Sequence, residues 1–190
     1  FIGGPGGGSS YTAGAQFLHA FSPNSHLRIA GGMMDQPLEW FTTPASSATL
    51  MAGTGTTADR PSRSWYSDGQ WNLIGSGRHN IVTGAAMRGN RSTGIEYDLS
   101  NYALRDSHLR RTASSFGRDS SQAIFVQDRI TLGSRLQLTA GGRYDRWKSF
   151  DGSAVPSFGA DPISYSSRRA GSFSGKIAAL FEGPDGWIFR

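Results

Sequence analysis

The chain has 190 residues, room for one domain, but only 37% of them are hydrophobic, while 26 are Gly and 12% are aromatic, a mixture suited to many strands and turns rather than to a helical globule. With no Cys, neither a disulfide framework nor a thiolate metal site is available. The net charge of +5 raises the question of a nucleic-acid partner, but the Arg residues are scattered, Lys is scarce and no basic stripe follows a helical period, so no nucleic acid is expected.

The opening FIGGPGGGSS has no Met, basic n-region or apolar core, so no signal peptide is read there and the chain is expected to start inside a longer protein. Gly3 to Gly8 is not framed by a strand and a helix, so it reads as a flexible tail rather than a dinucleotide loop. Tyr11, Ala13, Ala15, Phe17 and Phe21 then alternate with Thr12, Gly14 and Gln16, which is strand periodicity. Ser22-Pro23-Asn24-Ser25 turns the chain and Leu27 to Asp35 returns. Pro37 to Ser62 is a polar, nearly uncharged connection from which no ligand can be read. Trp65, Trp71 and Leu73 share a face against Tyr66, Asp68, Gln70 and Asn72; Gly75-Ser76-Gly77 turns, and Ile81, Thr83, Ala85 and Met87 follow on one face. A second polar connection runs from Asn90 to Asp119. Ile124, Val126, Ile130 and Leu132 share the next apolar face, with Asp128 as its exception, and Gly133-Ser134 makes a tight hairpin. Leu136, Leu138, Ala140, Gly142 and Tyr144 alternate strictly with Gln137, Thr139, Gly141, Arg143 and Asp145. A third connection, Phe150 to Ala170, leads to Phe173, Ile177, Ala179 and Phe181; after Gly183-Pro184-Asp185-Gly186 an eighth run begins at Trp187 and stops at Arg190.

Short turns and long connections therefore alternate strictly, which puts every long connection on one edge of the sheet. Outer-membrane barrels are built so, with short periplasmic turns and long extracellular loops. In that reading Leu136, Leu138, Ala140 and Tyr144 face lipid, and Gln137, Thr139, Arg143 and Asp145 face a wet lumen, where Arg143 and Asp145, like Asp68 and Gln70, need polar partners within the wall. Phe21, Trp65, Trp71, Tyr144, Trp147 and Trp187, near strand ends, fit aromatic girdles at the lipid interface. A soluble antiparallel barrel or sandwich is the competing architecture, with the same aromatics in a dry core.

QAIFVQDRITLGSRLQLTAGGRYDRW, Gln122 to Trp147, resembles a hairpin of the TonB-dependent outer-membrane receptors, in which an aromatic-x-Gln-Asp strand precedes one ending in Gly-x-Arg-Tyr-Asp; the matching residues are Phe125, Gln127, Asp128, Gly141, Arg143, Tyr144 and Asp145. RHNIVTGAAMRGNRS is similar to that family's His-x-Leu-x-x-Gly-x-x-aromatic strand, with Ile81 in place of Leu and Met87 departing from the aromatic, and FSGKIAALFEGPDGWIFR is similar to its Phe-Ser-x-Lys strand. The motifs cover Arg63 to Arg190, and the first 60 residues match by pattern only. The resemblance implies an all-β fold: an antiparallel transmembrane barrel segment of about eight up-and-down strands out of 22. Residues 1–190 would then be a partial barrel domain in the Gram-negative outer membrane, with the plug and remaining strands elsewhere. It also implies uptake of a scarce small molecule, such as a ferric siderophore or cobalamin, driven by the TonB complex acting through the plug, with outer-membrane lipid as the surrounding partner and no cofactor. A passive porin or small eight-stranded barrel remains an alternative, although four residues from Trp187 to Arg190 are too few to span.

Chemistry is sparse. Ser76 and His79 suggest a nucleophile and base, the mark of an outer-membrane hydrolase, but a Ser between two Gly is a turn residue first and no orienting group is evident. GSFSGKI lacks the spacing and the hydroxyl of a phosphate loop, and His19, His26, His79 and His108 have no metal-binding spacing. Binding is better sought in the connections. Arg88 to Arg118 holds six Arg, and Arg91, Tyr97, Tyr102, Arg105, Arg110 and Arg111 are expected to contact an anionic ligand such as a ferric chelate. The other reading of these Arg is contact with lipopolysaccharide phosphates or plain solvation.

Overall fold

A computed structural model describes residues 4–75, 77–183 and 187–189, and within them shows one antiparallel sheet and no helix. Its segments are β1 (Gly6–Ser22), β2 (Ser25–Pro44), β3 (Gly55–Asp59), β4 (Ser62–Ile74), β5 (His79–Leu99), β6 (His108–Leu132), β7 (Leu136–Val155), β8 (Ile163–Tyr165), β9 (Arg168–Glu182) and β10 (Ile188–Phe189). Ten segments make eight wall strands. β3 and β4 keep one register along β5, from Gly55↔Leu99 to Ile74↔Asn80, and are divided only where Pro61 has no N–H to donate. β8 and β9 likewise share one register along β7. Each strand pairs with its neighbour in sequence, the up-and-down order. Among the described residues β1 and β10 are the open edges.

Register carries the alternation from strand to strand. Phe17, Ile29, Gly69, Ala85, Ile124, Tyr144 and Phe173 form one cross-strand row, and Leu138, Ile130 and Ala179 belong to a lower one on the same face. Along this band none of the described residues covers the face: Ile177 is 90% exposed and Phe173 74%. A soluble sandwich would bury such residues against a second sheet, whereas a bilayer accepts them as they stand. On β7 the apolar run from Leu136 to Tyr144 is nine residues; at about 3.4 Å per residue and a tilt of about 40° it rises roughly 21 Å, near the height of a membrane apolar band.

Two glycines explain local geometry. Gly133, at φ 72°, occupies the left-handed position that closes the β6–β7 hairpin. Gly89 lies opposite Trp65, and a Cβ there would sit 2.6 Å from the indole Nε1, so the ring lies flat over a bare backbone.

The long connections are shorter than the sequence pattern predicts. Strand pairing continues well past Pro37, Asn90 and Phe150, leaving loops of only 45–54, 100–107 and 156–162. β5 has 21 residues and β6 has 25, whereas crossing a bilayer takes about 9–11. The extensions escape detection because both of their faces are built largely from polar and small residues, so no apolar alternation marks them. The opening glycines are also not a tail: Gly6, Gly7 and Gly8 pair with Phe41, Trp40 and Glu39.

Candidate ligand-facing surface

The face opposite the apolar one is polar and internally paired. Arg28 Nη1 donates to Asp68 Oδ2 at 2.7 Å across β2 and β4, and its Nε to Gln16 Oε1 at 3.3 Å. Gln70 donates to Asn72, two residues along the same strand. Arg143 grips both oxygens of Asp145, also two residues along, at 2.8–3.0 Å. These pairs satisfy the charges of a wet wall and, being solvated, contribute only modestly to stability.

Beyond the apolar band, towards the long hairpins, this polar face hollows into a groove of about 470 Å³. Its floor is built from small side chains, among them Ala58, Ser62, Ser92, Gly94, Ala113 and Ser115, drawn from β3, β4, β5 and β6. Glu39, Arg60 and Glu96 stand around it. Arg60 is steadied from two sides: its guanidinium lies 4.9 Å from the Phe41 ring centre, and its backbone N–H donates to the Glu39 carbonyl at 2.7 Å. The groove thus offers donors and acceptors of both charge signs over a floor with room for a guest.

The family model described as TonB dependent receptor-like, beta-barrel, matches residues 4–190. The chain belongs to this family. Such receptors are outer-membrane barrels, so the uncovered apolar face is the lipid side and the polar face the lumen. The ferric yersiniabactin uptake receptor of Yersinia pestis superimposes with a TM-score of 0.70 at 14% identity, over 94% of this chain and 26% of its own. A ferric citrate transporter in its unliganded form also gives 0.70, at 12% identity over 95% of this chain and 26% of its own. The ferric-catecholate import receptor of E. coli K12, in its open form, gives 0.57 at 16% identity over 90% and 33%. At these identities the likeness is one of fold, and the chain spans about a quarter to a third of the solved receptors. A search of the curated proteins returns no match.

Within this receptor wall the six residues expected to bind ligand do not gather. Arg91 and Tyr97 lie on β5 and Arg110 and Arg111 on β6, leaving Tyr102 and Arg105 in the loop of residues 100–107. That loop folds over the outward side of the β2–β3–β5 hairpins and clasps them. The Tyr102 side chain is 3% exposed, and its hydroxyl donates to the carbonyls of Thr49 and Leu50, both at 2.9 Å. Arg105 donates to Asp59 at 2.9 Å and lies 5.6 Å from the Trp40 ring centre. Thr42, Thr57 and Leu99 are buried in these hairpins, Thr42 donating through its hydroxyl to the Pro5 carbonyl at 3.2 Å. Tyr97 stacks on His108 with ring centres 4.1 Å apart. Arg91 lies over the Phe116 ring on the outward face, and Arg111, registered with Tyr97, shares that side. Of the six, Arg110 alone takes the lumen side, registered with Asp98 and bonded to it at 2.7 Å. The groove residues Glu39, Arg60 and Glu96 were not singled out by sequence; continuing the two-residue period through GTTAD at 55–59 and on to Leu99 would have aligned Ala58, Arg60 and Glu96 on one face.

Of the interface aromatics, Phe21, Trp65, Trp71 and Tyr144 lie on the lipid face, Phe21 against Trp71 and the Trp71 indole donating to Ser25 at 2.9 Å. Trp187 is 68% exposed at the short-turn edge. Trp147 is the correction: it is registered with Ser121 and Ala170, three residues beyond Tyr144, and an odd step along a strand turns it to the lumen side. Asp128, the exception on its apolar face, is accounted for by His79, whose Nδ1 lies 2.6 Å from Asp128 Oδ2 across the β5–β6 pair. Ser76 lies outside the described residues. GSFSGKI is part of β9, and among the described residues no three His, Asp or Glu side chains converge as a metal site. Just above the band, Arg63 hydrogen-bonds Asp35, and that carboxylate raises the guanidinium pKa further.

Proposed function

We propose that residues 1–190 are a section of a 22-stranded barrel wall in a TonB-dependent receptor for active uptake of a ferric siderophore, cobalamin or a similarly scarce molecule. The plug, the TonB contact and the remaining strands belong to other parts of that protein, and the activity is transport rather than catalysis. The observation that carries this reading is the mixed-charge groove on the lumen side beyond the lipid band, where an incoming guest meets the wall first. Glu39, Arg60, Glu96 and Arg110 are the wall's polar contacts for it. Ferric chelates are the first guests to try, because all three solved receptors compared above are described as carrying one.

The test is accumulation of radiolabelled ferric citrate, ferric catecholate and cobalamin by cells expressing the full-length receptor, with and without TonB. One of the three is expected to accumulate only when both are present. An Arg60→Gln, Glu96→Gln double variant should weaken its apparent affinity by about tenfold, two modest polar contacts' worth. Accumulation that persists without TonB would mean a passive channel and overturn the proposal.

A further inference from the structure

The Arg side chains that the sequence offers to an anion are spent elsewhere. Arg91 and Arg111 turn outward, Arg105 is held by Asp59, and Arg110 is held by Asp98. The groove itself presents different charges. Its ionised lining residues are Glu39, Arg60 and Glu96, and all three are exposed. Among the described residues neither Glu side chain makes a hydrogen bond or ion pair, and Arg60 pairs with no carboxylate. The nearby Asp98 and Arg110 cancel one another. The free charges at the groove are therefore two carboxylates and one guanidinium.

Register explains why the three stay apart. Glu96 is opposite Ala58, and Ala58 is opposite Phe41. Arg60 and Glu39 lie two residues along from Ala58 and Phe41, and the guanidinium rests 4.9 Å from the Phe41 ring centre. An aromatic ring, rather than a carboxylate, thus holds the cation. Glu39 and Glu96 are two strand spacings apart and offset by two residues, roughly 12 Å between Cα atoms. By reaching towards one another, two Glu side chains can close that gap onto one ammonium group. The floor between them is Ala58 and Gly94, which leaves the space above it open to a guest.

We propose that the groove selects a guest of no net negative charge, one that presents an ammonium or a cluster of amide N–H donors, and that it rejects polyanions. Glu39 and Glu96 converge on the donors, and Arg60 takes at most one anionic group of the same guest. Complementary charge admits such a guest, and two like-charged carboxylates penalise an anionic competitor. This rests on the reading of the groove as the guest's first contact with the wall. Of the three guests to be tried for uptake, it disfavours the polyanions ferric citrate and ferric catecholate. It leaves cobalamin, whose amide-rimmed ring carries no net negative charge.

The experiment is equilibrium binding of one ferric trishydroxamate to the purified full-length receptor. The chelate carries, at a single point, a free ammonium, an acetylated amine, or a succinylated amine ending in a carboxylate. The iron coordination is then constant and the charge at that point changes. Affinity is expected to fall in that order, about tenfold from first to last. A Glu39→Gln, Glu96→Gln variant should abolish the preference, because Arg60 alone then remains. Should the variant fail to fold, as judged by heat-modifiable mobility, the order of the three forms on the unaltered receptor decides. An equal or inverted order, no binding of the ammonium form, or a folded variant that weakens all three forms alike and keeps their order would overturn the proposal. The titration needs no TonB, so its outcome is separate from that of the uptake reading, which fails on accumulation without TonB.

Discussion

Ile177 offers the sharpest test of which face meets the bilayer. It is 90% exposed, lies opposite Ala140, and sits four residues from Phe173 at one end of its apolar run and four from Phe181 at the other. That places it near mid-height of the band, where a cation on the lipid side of a barrel costs about 2–4 kcal/mol. Ile177→Arg should therefore lower the unfolding free energy of the full-length receptor by that amount, about a 30- to 900-fold shift in the folding equilibrium at room temperature. Ala178→Arg, one residue on, points to the lumen beside Thr139 and should cost less than about 1 kcal/mol. The assay is denaturant unfolding of the receptor in lipid vesicles, followed by tryptophan emission. If the two variants were destabilised alike, or Ile177→Arg were indistinguishable from the parent, the face assignment would be refuted.

Spin labels at Leu138 and Thr139 in the full-length receptor should report opposite environments, the first quenched by oxygen and the second by a polar relaxation agent; equal accessibility at both sites would contradict a lipid face and a lumen face. The clasp formed by residues 100–107 should loosen when Arg105 becomes Ala, which removes the Asp59 ion pair and the Trp40 contact together, and less when Tyr102 becomes Phe, which removes one hydroxyl bonded to two carbonyls. The expected costs are about 2 and about 1 kcal/mol of local stability, read as faster proteolysis within that loop; unchanged cleavage in both variants would mean the clasp does not hold it.

Much of the wall was legible in the sequence because a two-residue period is a local property. Leu136 to Tyr144 declares its lipid face without reference to any other strand, and Gly133 declares its turn. The same rule, stepped on three residues from Tyr144, turns Trp147 to the other face. Where the two faces of a strand carry equally small and polar residues, as in GTTAD against Ile95–Leu99, composition carries no contrast and only pairing reveals the strand, even though Thr57 and Leu99 are buried.

The make-up of each candidate surface was decided by register, which is a tertiary quantity. Glu39, Arg60 and Glu96 come from separate strands, and their common groove exists because β2 to β6 align small residues at one height. Arg91 and Arg110 are close in sequence yet take opposite sides of the wall. Arg63, Arg91, Arg118, Lys148 and Arg169, spread over more than half the chain, stand on one side of it. The sequence by itself determined which residues alternate, and so which can meet lipid, because that follows from the geometry of a single strand. Which of them stand next to one another depended on hydrogen bonding between strands, and that only the folded sheet decides.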